Sequence, residues 1–170
     1  MKLKSIESFA TPDVAFVRVT MEDRAQGWGQ LSTYHSDITA QVLHRQVAPW
    51  TLGQDTTDLD DLLDIVAERE HKFPGSYLRR AMAGLDTAIW DMRGKHAGKP
   101  VAELLGGSAG LIRAYASSMK RDITPVEEAK RLKHLRDTQG FDAFKVRAGA
   151  EVGRNKDEWE GRTEEIIPTM

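Results

Sequence analysis

One stretch, LRRAMAGLDTAIWDMRGKHAGKPVAELLGG from Leu78 to Gly107, limits what this chain can fold into more than any other. Its apolar residues Leu78, Met82, Leu85, Ile89 and Met92 recur at intervals of four, three, four and three. That spacing is the seam of a helix with one buried stripe. Pro74-Gly75-Ser76 punctuates the start, with Ser76 expected as the N-cap. Gly98 is the expected stop, with Pro100 just beyond it, because glycine takes the left-handed cap and proline cannot continue the helix. Periodicity alone says no more than a well-packed helix, a short loop and a turn. Asp86, Trp90 and Asp91 then read as a half-buried Trp with two carboxylates along a polar flank.

Upstream, Leu3 to Ala10 and Val14 to Thr20 are strand candidates, and Thr11-Pro12-Asp13 between them is turn chemistry, so a β-hairpin is expected. In the second run Ala15, Val17 and Val19 form one apolar face, while Val14 and Phe16 share the other with Arg18. A third strand enters through Gly27-Trp28-Gly29-Gln30-Leu31. Ile38 to Trp50 is helical in pattern, with Pro49 expected to close it. Thr57-Asp58-Leu59-Asp60 opens another helix, whose Leu59, Leu62, Leu63 and Val66 make an amphipathic stripe. Strands followed by helices is an α+β order.

After Gly106-Gly107 the grammar changes. Leu111 to Met119 is a strand candidate. Thr124-Pro125-Val126-Glu127 is a capping box with proline at the first helical position. That helix runs to about Thr138, and Gly140 caps it. Phe141 to Ala148 is the next strand, and TEEIIPTM, ending at Met170, opens another helix. Strand, helix, strand, helix reads as two βα units of a parallel architecture.

Composition narrows the function classes. A formal net charge of -2 argues against nucleic acid as a partner. No apolar run approaches the roughly 18 residues a membrane span needs, so no membrane partner is expected either. The chain has no cysteine, hence no disulfide and no thiolate ligand or nucleophile. Cytoplasm is the default compartment.

The wording of the opening stretch says more than its period. LDxAxWDxxGKxxGxPxxxLLGG, starting at Leu85, resembles the end of the N-terminal capping domain in the mandelate racemase/muconate lactonizing enzyme branch of the enolase superfamily. Gly84 stands where family members often have Ala. The resemblance implies an α+β capping domain over residues 1-110, a three-stranded antiparallel sheet with helices. It implies that residues 111-170 are the first two βα units of a TIM-like (β/α) barrel, truncated. Such a barrel needs roughly 200 residues or more.

Chemistry is expected at Phe144-Lys145-Val146-Arg147. Strand side chains alternate, so Lys145 and Arg147 face one side and Phe144 and Val146 the other. In a closed barrel the cationic pair would point inward, at the strand end where barrel enzymes keep their sites. Two inward cations are costly without an anion beside them, and a carboxylate is the obvious one. The plain alternative is a basic stripe on an exposed or edge strand. By resemblance, Lys145 matches the first position of the family's Lys-x-Lys element, which binds and polarises the substrate carboxylate. Arg147 departs from the second, the proton-abstracting Lys. A Lys working as a base near neutrality must be destabilised as an ion by roughly 4 kcal/mol, and an Arg by roughly 8 kcal/mol. Arg147 therefore suits a fixed carboxylate clamp, and Lys145 is the expected base, with a later barrel strand as the other source of one.

The resemblance also implies that GWGQLSTYHSD, Gly27 to Asp37, is the cap loop that closes over the barrel mouth. Trp28, Tyr34 and His35 are then substrate-binding candidates, with Ser32 and Thr33 as neighbours. As a plain strand end and polar surface loop the same residues would carry no role. Abstraction next to a carboxylate calls for Mg2+, whose three acidic ligands are expected beyond Met170. Glu151, Asp157, Glu158 and Glu160 read as a solvated charge run, and His35, His44, His71, His96 and His134 have no metal-ligand spacing. The expectation is an enzyme, lyase or isomerase, acting on a small-molecule carboxylate. An acid-sugar dehydratase comes first, a racemase or cycloisomerase second, as a homo-oligomer, with this chain silent by itself. The alternative is a non-catalytic α+β module that associates with another chain.

Overall fold

Three antiparallel strands open the chain, β1 (Leu3–Ala10), β2 (Val14–Met21) and β3 (Gln26–Thr33), in that order across the sheet. The structure is a computed structural model and describes residues 1–169. Thr11 closes the first hairpin: its backbone N–H donates to the Val14 carbonyl at 2.8 Å and its hydroxyl accepts from the Val14 N–H at 3.2 Å. Alternation decides the faces, as the β-branched pattern predicts. Ala15, Val17 and Val19 are fully buried, while Phe16 is exposed on the opposite side.

After β3 the chain is helical. α1 (Ser36–Val42) runs into a π turn, Leu43–Val47, and then α2 (Ala48–Thr51). Pro49 does not close the helix as its sequence position suggests. It sits in the first turn of α2, just after the Ala48 N–H has bonded to the Leu43 carbonyl in the wider π pattern. A first turn tolerates proline, whose missing N–H has little to lose there. α3 (Leu59–Arg69) is capped by Asp58, whose carboxylate accepts from the Asp61 N–H at 3.0 Å. α4 (Ser76–Ala97) buries Leu78, Met82, Leu85, Ile89 and Met92, the stripe that the spacing predicts. Ser76 is not its N-cap: Gly75 holds that position with no side-chain cap, and Ser76 is the first helical residue. Gly98 ends the helix in the left-handed conformation at φ 62°. α5 (Val101–Leu104) is a single turn.

From Gly110 onward a second compact unit follows the first, Met1–Ala109. It contains β4 (Ala116–Ser117), α6 (Pro125–Gln139), β5 (Phe144–Lys145) and α7 (Arg162–Thr169). β4 and β5 pair in parallel, Ala116 opposite Phe144 and Ser117 opposite Lys145. Both strands are far shorter than the apolar runs Leu111–Met119 and Phe141–Ala148 suggest. Regular pairing needs a neighbour along the whole run, and only the central residues find one; Leu111 and Ile112 stand exposed. The capping box is as predicted, with Thr124 and Glu127 exchanging bonds at the start of α6 and Gly140 left-handed at its end. The last residue of the predicted final helix, Met170, lies outside the described residues. No helix among them is long and apolar enough to cross a membrane.

Candidate functional site

In the second unit, β5 sorts its side chains as alternation requires. Phe144 and Val146 turn to α6, where with Ala129, Leu132, Lys133 and Arg136 they line a small cleft of about 190 Å³. Ala116, opposite Phe144 on the neighbouring strand, and Ser118 just past it are buried. Lys145 stands opposite Ser117, and past the strand ends Arg147 lies beside Met119. Lys145 is exposed, and its ammonium makes no hydrogen bond or ion pair among the described residues. Arg147 is half-buried and its Nη2 donates to the Met119 Sδ at 3.0 Å.

Arg147 opens onto a cleft of about 400 Å³, lined also by Met119, Arg121, Asp122, Glu151 and Glu158. This cleft lies past the C-terminal ends of β4 and β5, built from the loops that follow them. Its charges are mixed: two guanidiniums face three carboxylates. Arg121 donates from Nη1 to the carbonyls of Ala148, at 3.1 Å, and Gly149. The long loop is pinned at its far end by Thr163, whose hydroxyl accepts from the Gly149 N–H at 2.9 Å and donates to Asp157 at 2.6 Å. Those Thr163 bonds hold the Asp157 carboxyl below its usual range. Asp157 is thus a loop anchor.

The first unit keeps its candidates in two places. Trp28 lies on the outer face of β3, its ring 5.4 Å from that of Phe9 and 5.4 Å from the Arg18 guanidinium. Glu7 grips that guanidinium with both oxygens, at 3.0 and 2.8 Å. Six residues on, roughly 20 Å along an extended strand, Tyr34 and His35 form the turn into α1. Both are left-handed, at φ 65° and 50°, which costs a non-glycine residue about 1–3 kcal/mol. Ser36 secures the turn by donating to the Ser32 carbonyl at 2.9 Å, and Arg80 reaches Ser32 Oγ at 3.1 Å. Tyr34, 76 % exposed, projects from this strained and fastened corner.

Residues 3–106 match the family described as mandelate racemase/muconate lactonizing enzyme, N-terminal domain. The chain belongs to that family. Within the enolase superfamily to which it belongs, a D-galactonate dehydratase from Pectobacterium atrosepticum is 30% identical over 155 residues, 90% of this chain and 40% of that protein. A crystal structure of a candidate racemase from Roseobacter denitrificans is 82% identical with a TM-score of 0.97, over 100% of this chain and 46% of that one. A family protein from Paracoccus denitrificans PD1222, complexed with magnesium, is 30% identical with a TM-score of 0.72, over 84% of this chain and 41% of that one. The chain therefore spans less than half the length of each.

Magnesium finds no fitting donor set here. Among the described residues no three Asp, Glu or His side chains cluster closely enough to hold a metal ion. Glu151 and Glu158 share their cleft with Arg121 and Arg147, and Asp157 is occupied by Thr163. Of the two expected catalytic residues Arg147 lines this cleft and Lys145 does not, while Arg121 and Asp122, which line it, were not expected from the sequence. Their one local signal was a charged triplet, Lys120-Arg121-Asp122, between a strand candidate and a capping box.

Proposed function

We propose that this chain carries the cap and the first barrel strands of an enzyme that removes a proton α to a carboxylate. Dehydration of an acid sugar is the favoured reaction, in line with the similarity to D-galactonate dehydratase. Racemisation and cycloisomerisation are its chemical neighbours. One observation supports the reading: Phe144 and Val146 turn to α6 while Arg147, two residues past β5, lies at the mouth of a cleft beyond the strand end.

Arg147 carries a planar guanidinium, so it serves as a fork for a carboxylate; such a charge-assisted contact is worth about 1.5–3 kcal/mol. Lys145, without a hydrogen-bond partner among the described residues, is assigned to take the α-proton on Nζ. Tyr34, His35 and Trp28 are assigned to contacts with the remainder of the substrate. The magnesium such chemistry requires belongs to acidic ligands beyond Met170, and the complete protein is read as a cytoplasmic homo-oligomer. The 170 residues alone are expected to be silent.

The test is the full-length gene product with Mg2+ and a panel of acid sugars in D2O, following the α-proton by NMR. Loss or exchange of that proton, slowed by at least about 100-fold in Lys145→Met, is the expected result. Turnover untouched by Lys145→Met removes the lysine as base. If no acid in the panel exchanges, the competing reading gains: a non-catalytic module completed by another chain, which the exposure of Leu111, Ile112 and Ile167 favours.

A further inference from the structure

Arg162 heads the largest fully buried side chains of the molecule, yet nothing in the proposed chemistry uses it. It is the first residue of α7. Its Nη1 donates to the carbonyl of Arg147 at 2.8 Å, and its Nε donates to the carbonyl of Ile123, in the loop after β4, at 3.3 Å. The ring of Trp159 covers the guanidinium at 5.1 Å. The Nη2 is buried and has no hydrogen-bond partner among the described residues. Glu128, only 1 % exposed, gives its two oxygens to Arg131 at 2.9 Å each.

A buried guanidinium with an unpaired nitrogen is a costly way to fill space, and an apolar side chain of similar volume often does so with no loss of stability. What an apolar side chain cannot do is hold two carbonyls from different segments in fixed register. One of those carbonyls belongs to Arg147 itself, so the same residue is held by its backbone on one side and presents its side chain to the cleft on the other. Arg121 makes a second cross-link from the β4 loop to the next two carbonyls, Ala148 and Gly149. Two arginines thus brace the backbone from which Arg147 departs.

We propose that Arg162 is a positioning residue, whose buried guanidinium ties the Arg147 and Ile123 carbonyls together and so fixes the direction in which Arg147 offers its fork to a carboxylate ligand. The proposal rests on the reading of Arg147 as a carboxylate clamp. A displacement of about 1 Å at such a group is enough to spoil its action.

The experiment is calorimetric titration of the full-length protein, in Mg2+, with L-malate as the carboxylate probe. Arg147→Met, Arg162→Met, their double variant and Arg162→Lys are compared with wild type, alongside thermal unfolding. Arg162→Met is expected to weaken binding about tenfold while the unfolding midpoint holds or rises. The double variant is expected to bind no more weakly than Arg147→Met, because the effect passes through Arg147. Arg162→Lys, which can still reach a carbonyl, is expected to recover most of the affinity. Additive losses in the double variant, or unchanged affinity in Arg162→Met, overturn the positioning role alone. If Arg162→Met fails to fold, Arg162→Gln takes its place in the same cycle, with the same outcomes. If Arg147→Met leaves the affinity unchanged, or wild type does not bind L-malate, the clamp reading falls and this proposal with it.

Discussion

Gly27 and Gly29 lie where β3 passes directly over α4. A Cβ built on Gly29 would come within 2.2 Å of the Gly84 carbonyl oxygen and 2.9 Å of the Ala88 nitrogen. On Gly27 it would meet the Ala88 oxygen at 2.0 Å. These are backbone atoms in the middle of a helix, so neither side can yield by rotating a side chain. Gly84 completes the contact from the helix: its own Cβ would come within 2.4 Å of Leu31 Cδ2 and 3.1 Å of Leu31 Cα. Gly29→Ala is expected to cost about 3 kcal/mol, read as a lower urea midpoint with an unchanged slope. A cost under about 0.5 kcal/mol would mean that strand and helix are not in backbone contact. The sequence shows these glycines only as the start of a strand. Their reason is a partner more than fifty residues away, and no local pattern carries that.

At the level of elements, what is encoded within a few residues was legible and what depends on a distant partner was not. The α4 stripe, the Gly98 stop, the Asp58 start of α3 and the Thr124–Glu127 box all rest on neighbours within one or two turns. The expected cap at Ser76 and the stop at Pro49 failed because each residue is also welcome in a first turn. Alternation at Phe144–Lys145 is a property of any strand and was legible; the burial of Arg162 was not, since it comes from segments that meet only in the fold. Glu128 on α6 is a similar case. The hydrogen bonds from Arg131 lower its carboxyl pKa against the opposing effect of burial, with Ser118 and the Arg131 and Arg162 charges adding to the lowering. A carboxyl with a depressed folded pKa contributes stability above its unfolded value near 4.3, and that contribution disappears as pH falls through the folded value. Glu128→Gln is therefore expected to lose about 1–3 kcal/mol at pH 7, with the gap to wild type closing below about pH 4. Thermal unfolding of both proteins from pH 7 to pH 3 checks this. A gap that stays constant across the range would show that the charge of Glu128 plays no part.

Across the whole molecule, buried apolar surface is unevenly shared. The first unit holds a continuous core from Leu3, Val17 and Val19 of the sheet through Leu43 and Val66 to Leu85, Ile89 and Met92 of α4, and the three strands of its sheet are paired along their length. Each fully buried Val, Leu, Ile or Met is worth about 1.5–3 kcal/mol against exposure. Among the described residues of the second unit the buried apolar side chains are Ala116, Pro125, Leu132 and Ile166, and its sheet is two residues wide on each strand. The same ledger therefore leaves α6 and α7 far less to set against the entropy of ordering their chain. In the 170-residue chain, amides of β1–β3 and α4 should exchange with solvent only through global opening. Those of α6 and α7 should exchange through a separate, cheaper opening, at least about tenfold faster after correction for intrinsic rates. Hydrogen exchange followed by mass spectrometry of peptides from each unit measures the difference directly. Equal protection in both units would mean that the second is stabilised by something other than its own core.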